Sequence, residues 1–191
     1  MNTLFPVFLK LEQLDVLLIG GGNVGLEKLT ALLNNSPQTK VTIVATFFKD
    51  ELHSLAQARP NITLLERAFE ETDLDGKDLV ILATDNPGLH ASIKAKTRER
   101  KILTNVADTP DLCDFYLGSI VQKGDLKIAI STNGKSPTLA KRLREFLTDI
   151  IPDHIQDSME NLMTIREQIK GDFQAKIQQL NELTEGLIKG K

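Results

Sequence analysis

The sequence predicts an α/β fold: a doubly wound parallel sheet, followed by a small α+β region and a helical C-terminal tail. Three observations carry this. A glycine-rich strand-to-helix turn lies close to the N-terminus, at Val16–Gly25. Runs of β-branched and apolar residues then alternate with helical patterns through the first half. Beyond Pro110 the pattern changes to a hairpin and then to purely helical periodicity.

The first strand is Val16-Leu17-Leu18-Ile19, four apolar residues that end in Gly20-Gly21-Gly22-Asn23-Val24-Gly25. Gly20, Gly22 and Gly25 stand at the G-x-G-x-x-G spacing, and Leu26 to Leu33 opens a helix. Gly20 permits the tight turn, Gly22 lets a pyrophosphate approach the backbone, and Gly25 lets helix and strand pack closely. The helix start offers free N–H groups and a positive dipole end to phosphate. The spacing alone is weak, but strand before and helix after it point to a dinucleotide site. The competing reading is a glycine turn in some other α/β domain.

Asn34-Asn35-Ser36-Pro37 ends the first helix, and Val41–Ala45 is a β-branched second strand. Lys49 to Ala58 reads as a helix and Ile62–Leu65 as a short strand. Leu79–Ala83 is continuously apolar, as a strand covered on both faces must be. Leu89 to Arg100 is a helix and Ile102–Val106 a fifth strand. Phe115–Gln122 and Leu126–Ser131 flank Lys123-Gly124-Asp125, a hairpin signal. Ser136-Pro137 starts a helix, serine as N-cap and proline in the first turn, with Leu139, Leu143, Phe146, Leu147 and Ile150 on its apolar side. After Pro152, apolar residues from Ile155 to Leu187 recur at helical spacing, with Gly171-Asp172 as a break. The expected organisation is residues 1–112 as the dinucleotide-binding domain, 113–150 as a dimerisation and substrate-binding region, and 151–191 as a helical region. A two-stranded hairpin is marginal alone, and pairing with a second subunit's hairpin would complete it, so a homodimer is expected.

Composition narrows the partners. The chain has 191 residues, 41% of them hydrophobic, and a net charge of −3, which gives no reason to expect nucleic acid or an anionic membrane. No tryptophan and a single tyrosine, Tyr116, argue against a base-stacking platform. The single cysteine, Cys113, excludes an internal disulfide and fits a reducing cytoplasm. The first residues lack the basic-then-apolar pattern of a signal peptide, and no transmembrane span is expected.

In an open α/β sheet the ligand lies beyond the carboxyl ends of the strands. Those ends hold Gly20–Gly25, then Thr46-Phe47, then Thr84-Asp85-Asn86, then Asn105 to Asp108. Thr46 and Phe47 occupy the place of the usual acidic ribose partner. No arginine follows the second strand, and Lys49 is the only nearby cation, so NAD is favoured over NADP on weak grounds. Asp108, after a buried strand and before Thr109-Pro110, is expected at the cleft rim, partly buried, as a general base. A turn or helix cap is the alternative. Asp85 reads as structural, and Asp111 and Asp114 as solvated loop charges. Lys123, Lys127, Lys135, Lys141, Arg142 and Arg144 form a local basic patch that would attract a polyanionic small molecule, against the alternative of a solvated helix face. Asn133-Gly134-Lys135-Ser136, before a capped helix, offers backbone N–H groups to a carboxylate. His53, His90 and His154 have no metal-ligand spacing and read as surface or packing residues, and no metal site is expected.

Taken together, Leu4–Leu9, Val16–Gly25, Ala83-Thr84-Asp85-Asn86, Asn105–Asp108 and Ser131–Ala140 resemble the precorrin-2 dehydrogenases, the dehydrogenase part of siroheme synthase. The resemblance covers about residues 3–150. It implies a Rossmann domain, a small dimerisation region and NAD-dependent oxidation of precorrin-2 to sirohydrochlorin in siroheme (porphyrin-type) biosynthesis. In some members it also implies iron insertion, the sirohydrochlorin ferrochelatase reaction. Asn23-Val24 and Thr46-Phe47 match positions that contact NAD in the family, and Thr84 is placed with them. Asp108 matches the carboxylate assigned to dehydrogenation and, in bifunctional members, to chelation. Asn105, Lys135, Ser136, Lys141 and Arg142 are the residues expected to meet the tetrapyrrole carboxylates. His90 departs from the family, where asparagine is common. The chain is too short for the methyltransferase domain of the fused enzymes, which implies that another protein makes precorrin-2. A dinucleotide-sensing regulatory module without catalysis is the alternative function; it would need neither Asn133–Ala140 nor the basic patch.

Overall fold

The computed structural model describes residues 2–169 and 173–188. They form two compact units, Thr3–Leu117 and Gly118 onwards.

The first unit is built on five parallel strands in the order β3-β2-β1-β4-β5. They are β1 (Asp15–Ile19), β2 (Lys40–Ala45), β3 (Ile62–Glu66), β4 (Leu79–Leu82) and β5 (Leu103–Val106). The helices between them are α1 (Asn23–Asn35), α2 (Asp50–Ala58) and α3 (Pro87–Glu99). In β1 the period of two sends neighbouring side chains to opposite faces. Val16 and Leu18 join Leu29, Leu32, Ile43, Leu52 and Ile81 on one side. Leu17 and Ile19 join Val44, Leu74, Val80, Leu82 and Ile93 on the other. Both faces are thus covered by helices, which is why β1 and β4 read as unbroken apolar runs rather than alternating ones. Leu18 pairs in register with Ile43 on one side and Ile81 on the other. The chain runs outward from β1 to β3, then returns past β1 to β4. The reversal opens a crevice at the carboxyl ends of β1 and β4.

The expected doubly wound sheet is therefore present, with shifts at element ends that have local causes. Helix α1 starts at Asn23, with Gly22 as its N-cap, so Gly25 lies inside the first turn rather than before the helix. Helix α3 starts at Pro87 because the Asn86 side chain accepts from the Leu89 N–H at 3.0 Å, and proline suits the first turn. The first hairpin strand begins at Ser119, later than expected, because Phe115 packs against the core of the first unit. The Phe115 carbonyl also accepts from the Asn105 amide at 2.8 Å.

The second unit contains the antiparallel hairpin β6 (Ser119–Lys123) and β7 (Leu126–Ile130), closed by a two-residue turn with Gly124 at φ +57°. Helix α4 (Pro137–Ile150) packs against the hairpin. Its N-cap is as expected: Ser136 Oγ accepts from the Leu139 N–H at 3.2 Å. Of its residues only Ala140 is buried, whereas Leu139, Leu143, Phe146 and Ile150 are exposed along one stripe. Helix α5 (Ile155–Gln168) is pinned to the hairpin turn, because Gln156 Oε1 accepts from the Asp125 N–H at 2.9 Å. Helix α6 (Phe173–Ile188) contacts α5. The expected break at Gly171-Asp172, and the side chains of Phe173, Leu183 and Leu187, lie outside the described residues.

Candidate functional site

The crevice begins with a turn that only glycine fits. Gly20 has φ +127°, and a Cβ there would stand 2.3 Å from the Ala83 carbonyl oxygen. A Cβ on Gly25 would stand 2.1 Å from the Gly20 carbonyl oxygen, so α1 rests directly on the turn. Gly22 differs, since nothing lies within 4 Å of the position its Cβ would take. The N-cap of α1 is therefore open where an anion would approach. Gly21 has a role the spacing did not suggest: a Cβ there would meet the Phe47 carbonyl at 1.9 Å. Its own carbonyl accepts from the Lys49 N–H at 3.0 Å, which locks the loop after β2 onto the turn.

A cleft of about 650 Å³ lies over this turn. That is an ordinary size for a small-molecule or cofactor site. Gly22, Asn23, Val24, Thr46, Phe47 and Thr84 line it, and Asp108 does too. The expected cofactor residues and the expected acid thus share one cavity, with Gly20 and Gly25 supporting it from behind.

Asp108 is exposed, not partly buried as the sequence suggested. It sits on the turn after β5, beyond the last residue covered by the sheet, with φ +56°. Aspartate tolerates this left-handed region better than most residues. Cys113 holds the turn from beneath: its Sγ accepts from the Val106 N–H at 3.2 Å and lies 3.2 Å from the Val106 carbonyl. Burial pushes the Cys113 thiol up from its ordinary value, so it stays protonated and able to donate.

Thr84 follows β4, and its Oγ1 lies 2.8 Å from Nε2 of His90. His90 is buried, 4% exposed, on the inner side of α3. Burial is the first cause that lowers its pKa, with the nearby Thr84 backbone and Asp85 opposing it, so the ring is neutral at neutral pH. Sequence reasoning saw His90 as a packing residue; it packs, and it also touches a cleft residue. Asp85 lines the cleft as well, although its sequence context read as structural.

The Lys49 ammonium donates to Asn23 Oδ1 at 2.8 Å and pairs with Glu51 at 3.3 Å. This holds a cation beside the α1 N-terminus. A backbone hydrogen bond, then Lys49, keeps the Glu51 carboxyl below its usual range.

Arg67 also lines the cleft, and sequence reasoning missed it. The rule that found the other residues would have found this one had it been applied to the end of β3. Asp114, read as a solvated loop charge, is exposed and also makes structural contacts: its Oδ2 accepts from the Thr104 N–H at 2.9 Å and pairs with Lys94.

Asn105 is buried and gives its amide to the Phe115 carbonyl. Lys135, Ser136, Lys141 and Arg142 belong to the second unit. There Arg142 pairs with Glu145 at 2.9 Å, and Lys141 stands 3.9 Å from the same carboxylate. Lys123 donates to the Ile151 carbonyl and to Asp153. Among the described residues no group of three or more His, Cys, Asp or Glu could hold a metal ion. No helix among them is long and apolar enough to cross a membrane.

Residues 7–119 match the family model described as NAD(P)-binding, and residues 123–150 match the central region of sirohaem biosynthesis proteins. The siroheme synthase of Methylococcus capsulatus is 36% identical over 165 residues, which is 86% of this chain and 34% of that protein. The siroheme synthase of Thioalkalivibrio sulfidiphilus is 39% identical over 148 residues, 78% of this chain and 30% of that protein. The chain therefore spans about a third of the length of these relatives. The solved structure of a protein described as SirC, precorrin-2 dehydrogenase superposes with TM-score 0.70 at 24% identity, covering 94% of this chain and 89% of that one, and so shares the fold.

Proposed function

The chain belongs to the NAD(P)-binding family, and on that premise we propose that it is an NAD-dependent precorrin-2 dehydrogenase producing sirohydrochlorin for siroheme synthesis. One observation carries the reading: an acid, Asp108, lies in the same cleft as a dinucleotide-type glycine turn. The likeness to siroheme synthases supports the choice of substrate.

The cleft fits a dinucleotide by its own features. The N-cap of α1 is open at Gly22, and the Lys49 ammonium, held by Asn23 and Glu51, stands beside it. A bound nicotinamide would supply the hydride acceptor. The oxidation also releases a proton, and the Asp108 carboxylate takes it. Its exposed place on the turn after β5 suits a substrate too large to be engulfed. Thr84, held by His90, orients polar groups on the β4 side of the cleft. Precorrin-2 bears several carboxylates, and within the second unit Lys135 and the N-terminus of α4 at Ser136 offer positive potential to a group of that kind.

The protein acts as a homodimer in this reading. The exposed stripe Leu139, Leu143, Phe146, Ile150 on α4 supports burial against a second copy. A cytoplasmic site of action suits a thiol kept free at Cys113.

The test is to incubate purified protein with precorrin-2 and NAD and to follow NADH and sirohydrochlorin spectroscopically. Both should appear together. NAD binding without oxidation of the tetrapyrrole would favour the sensor reading instead.

A further inference from the structure

The adenosine end of the cleft lacks the acid that usually follows the second strand, and the register shows what stands level with that place. Ala45, the last residue of β2, pairs with Glu66, the last of β3. Thr46 and Arg67 are the next residues of each chain segment, so they leave the sheet side by side, and both line the cleft. Along the carboxyl edge the order is then Arg67 after β3, Thr46 after β2, the glycine turn after β1, Thr84 after β4 and Asp108 after β5. With a pyrophosphate on the glycine turn, one half of a dinucleotide lies towards Thr46 and Arg67 and the other towards Thr84 and Asp108. In this fold the residue after the second strand meets the adenosine ribose, so Thr46 and, level with it, Arg67 face adenosine.

Arg67 is not a free cation. Its guanidinium meets Asp73 fork to fork, NH2 to Oδ1 at 2.6 Å and NH1 to Oδ2 at 2.9 Å. NH1 also donates to the Ala68 carbonyl at 2.9 Å. The Asp73 side chain is 6% exposed and also accepts from the Glu70 N–H at 2.8 Å. This fixes the plane of the guanidinium and balances its charge at the edge of the cleft. The other cation at this end, Lys49, is likewise matched, by Glu51 and the side-chain Oδ1 of Asn23.

We infer that the Arg67–Asp73 pair selects the cofactor: Arg67 gives adenosine a flat cationic face, while Asp73 withholds its charge from a ribose 2′-phosphate. Asp73 does not line the cleft itself; it acts on the adenosine end only through Arg67. This inference rests on the reading of the cleft as a dinucleotide site, and on nothing about the tetrapyrrole.

The experiment measures dissociation constants by calorimetry for NAD and NADP, and for ADP and 2′,5′-ADP, with thermal unfolding as a check on folding. Asp73→Asn keeps the shape and removes the charge. It should shift the affinity ratio towards NADP and 2′,5′-ADP by about tenfold or more. Arg67→Gln should weaken NAD and ADP several-fold, and the double variant should lose the gain of Asp73→Asn. A folded Asp73→Asn protein with an unchanged ratio overturns the inference. Should Asp73→Asn not fold, Arg67→Gln decides alone, and unchanged NAD affinity overturns it. Wild-type protein that binds none of the four nucleotides sinks both this inference and the dinucleotide site. Nucleotide binding as expected without oxidation of precorrin-2 sinks only the proposed reaction.

Discussion

Nε2 of His90, on the buried side of α3, lies 2.8 Å from Oγ1 of Thr84, a residue of the cleft wall. The contact joins the stability of the sheet's far layer to the shape of the site. Burial depresses the His90 pKa, so the folded state resists protonating it while the unfolded chain does not. As pH falls below the ordinary histidine value of 6.5, the unfolded state gains the proton first, and unfolding becomes easier down to the lower pKa of the folded form. Thermal unfolding followed between about pH 7.5 and pH 5 should show this loss, and His90→Asn should lessen it. Parallel profiles for the two proteins would remove His90 from the acid sensitivity.

Asp108→Asn should lower turnover of precorrin-2 by about a hundredfold to ten-thousandfold, the range for loss of a general base, while NAD affinity stays close to wild type. Asparagine is the informative substitution because it accepts the left-handed φ of +56° as well as aspartate does. Alanine would add backbone strain to the loss of the carboxylate. Steady-state rates and calorimetric NAD binding check this. A fully active Asp108→Asn enzyme would take the residue out of the mechanism.

Two glycines separate packing from binding. Gly25→Ala places a methyl group 2.1 Å from the Gly20 carbonyl, and since both partners are backbone, α1 must move. The variant should lose about 1–3 kcal/mol of stability, as overpacked sites do, together with NAD binding. Gly22→Ala meets nothing within 4 Å. Its thermal midpoint should stay near wild type, and its NAD affinity should fall because the methyl group occupies the approach to the α1 N-cap. Denaturation and binding measured on both variants test the distinction.

What the sequence revealed, and what it hid, follows from how local each signal is. The β1–turn–α1 unit was legible because its glycines, apolar run and helix lie within one short stretch. The Ser136 cap of α4 was legible for the same reason. Arg67 was legible as the residue after β3, but its place beside Thr46 and its pairing with Asp73 were not, since they depend on the β2–β3 register and on the fold. His90 was read as a packing residue and packs; only its contact with Thr84 was hidden, because burial on the inner side of α3 brings the two together. The exposure of Asp108 turned on two residues: the sheet's cover ends at Val106, Ala107 is half-buried, and the turn then reaches the open cleft. Phe115 was read into the hairpin because its apolar neighbours continue the strand pattern, yet the core of the first unit claims it.

The α4 stripe gives a prediction about assembly. Leu139, Leu143, Phe146 and Ile150 recur at intervals of three to four residues, as one face of a helix requires. Phe146 is 59% exposed, so a charge there costs the unit's own packing little. In a dimer that buries this face, the same charge would lose its water without gaining a partner. Phe146→Glu should therefore leave thermal unfolding of dilute protein nearly unchanged and convert the protein to a monomer in sedimentation or light scattering, with the dimer constant weakened about a hundredfold or more. Ser158→Glu, on the partly exposed α5 and away from the stripe, serves as the control and should not alter the mass. A Phe146→Glu protein that remains a dimer would mean that a different surface joins the two copies.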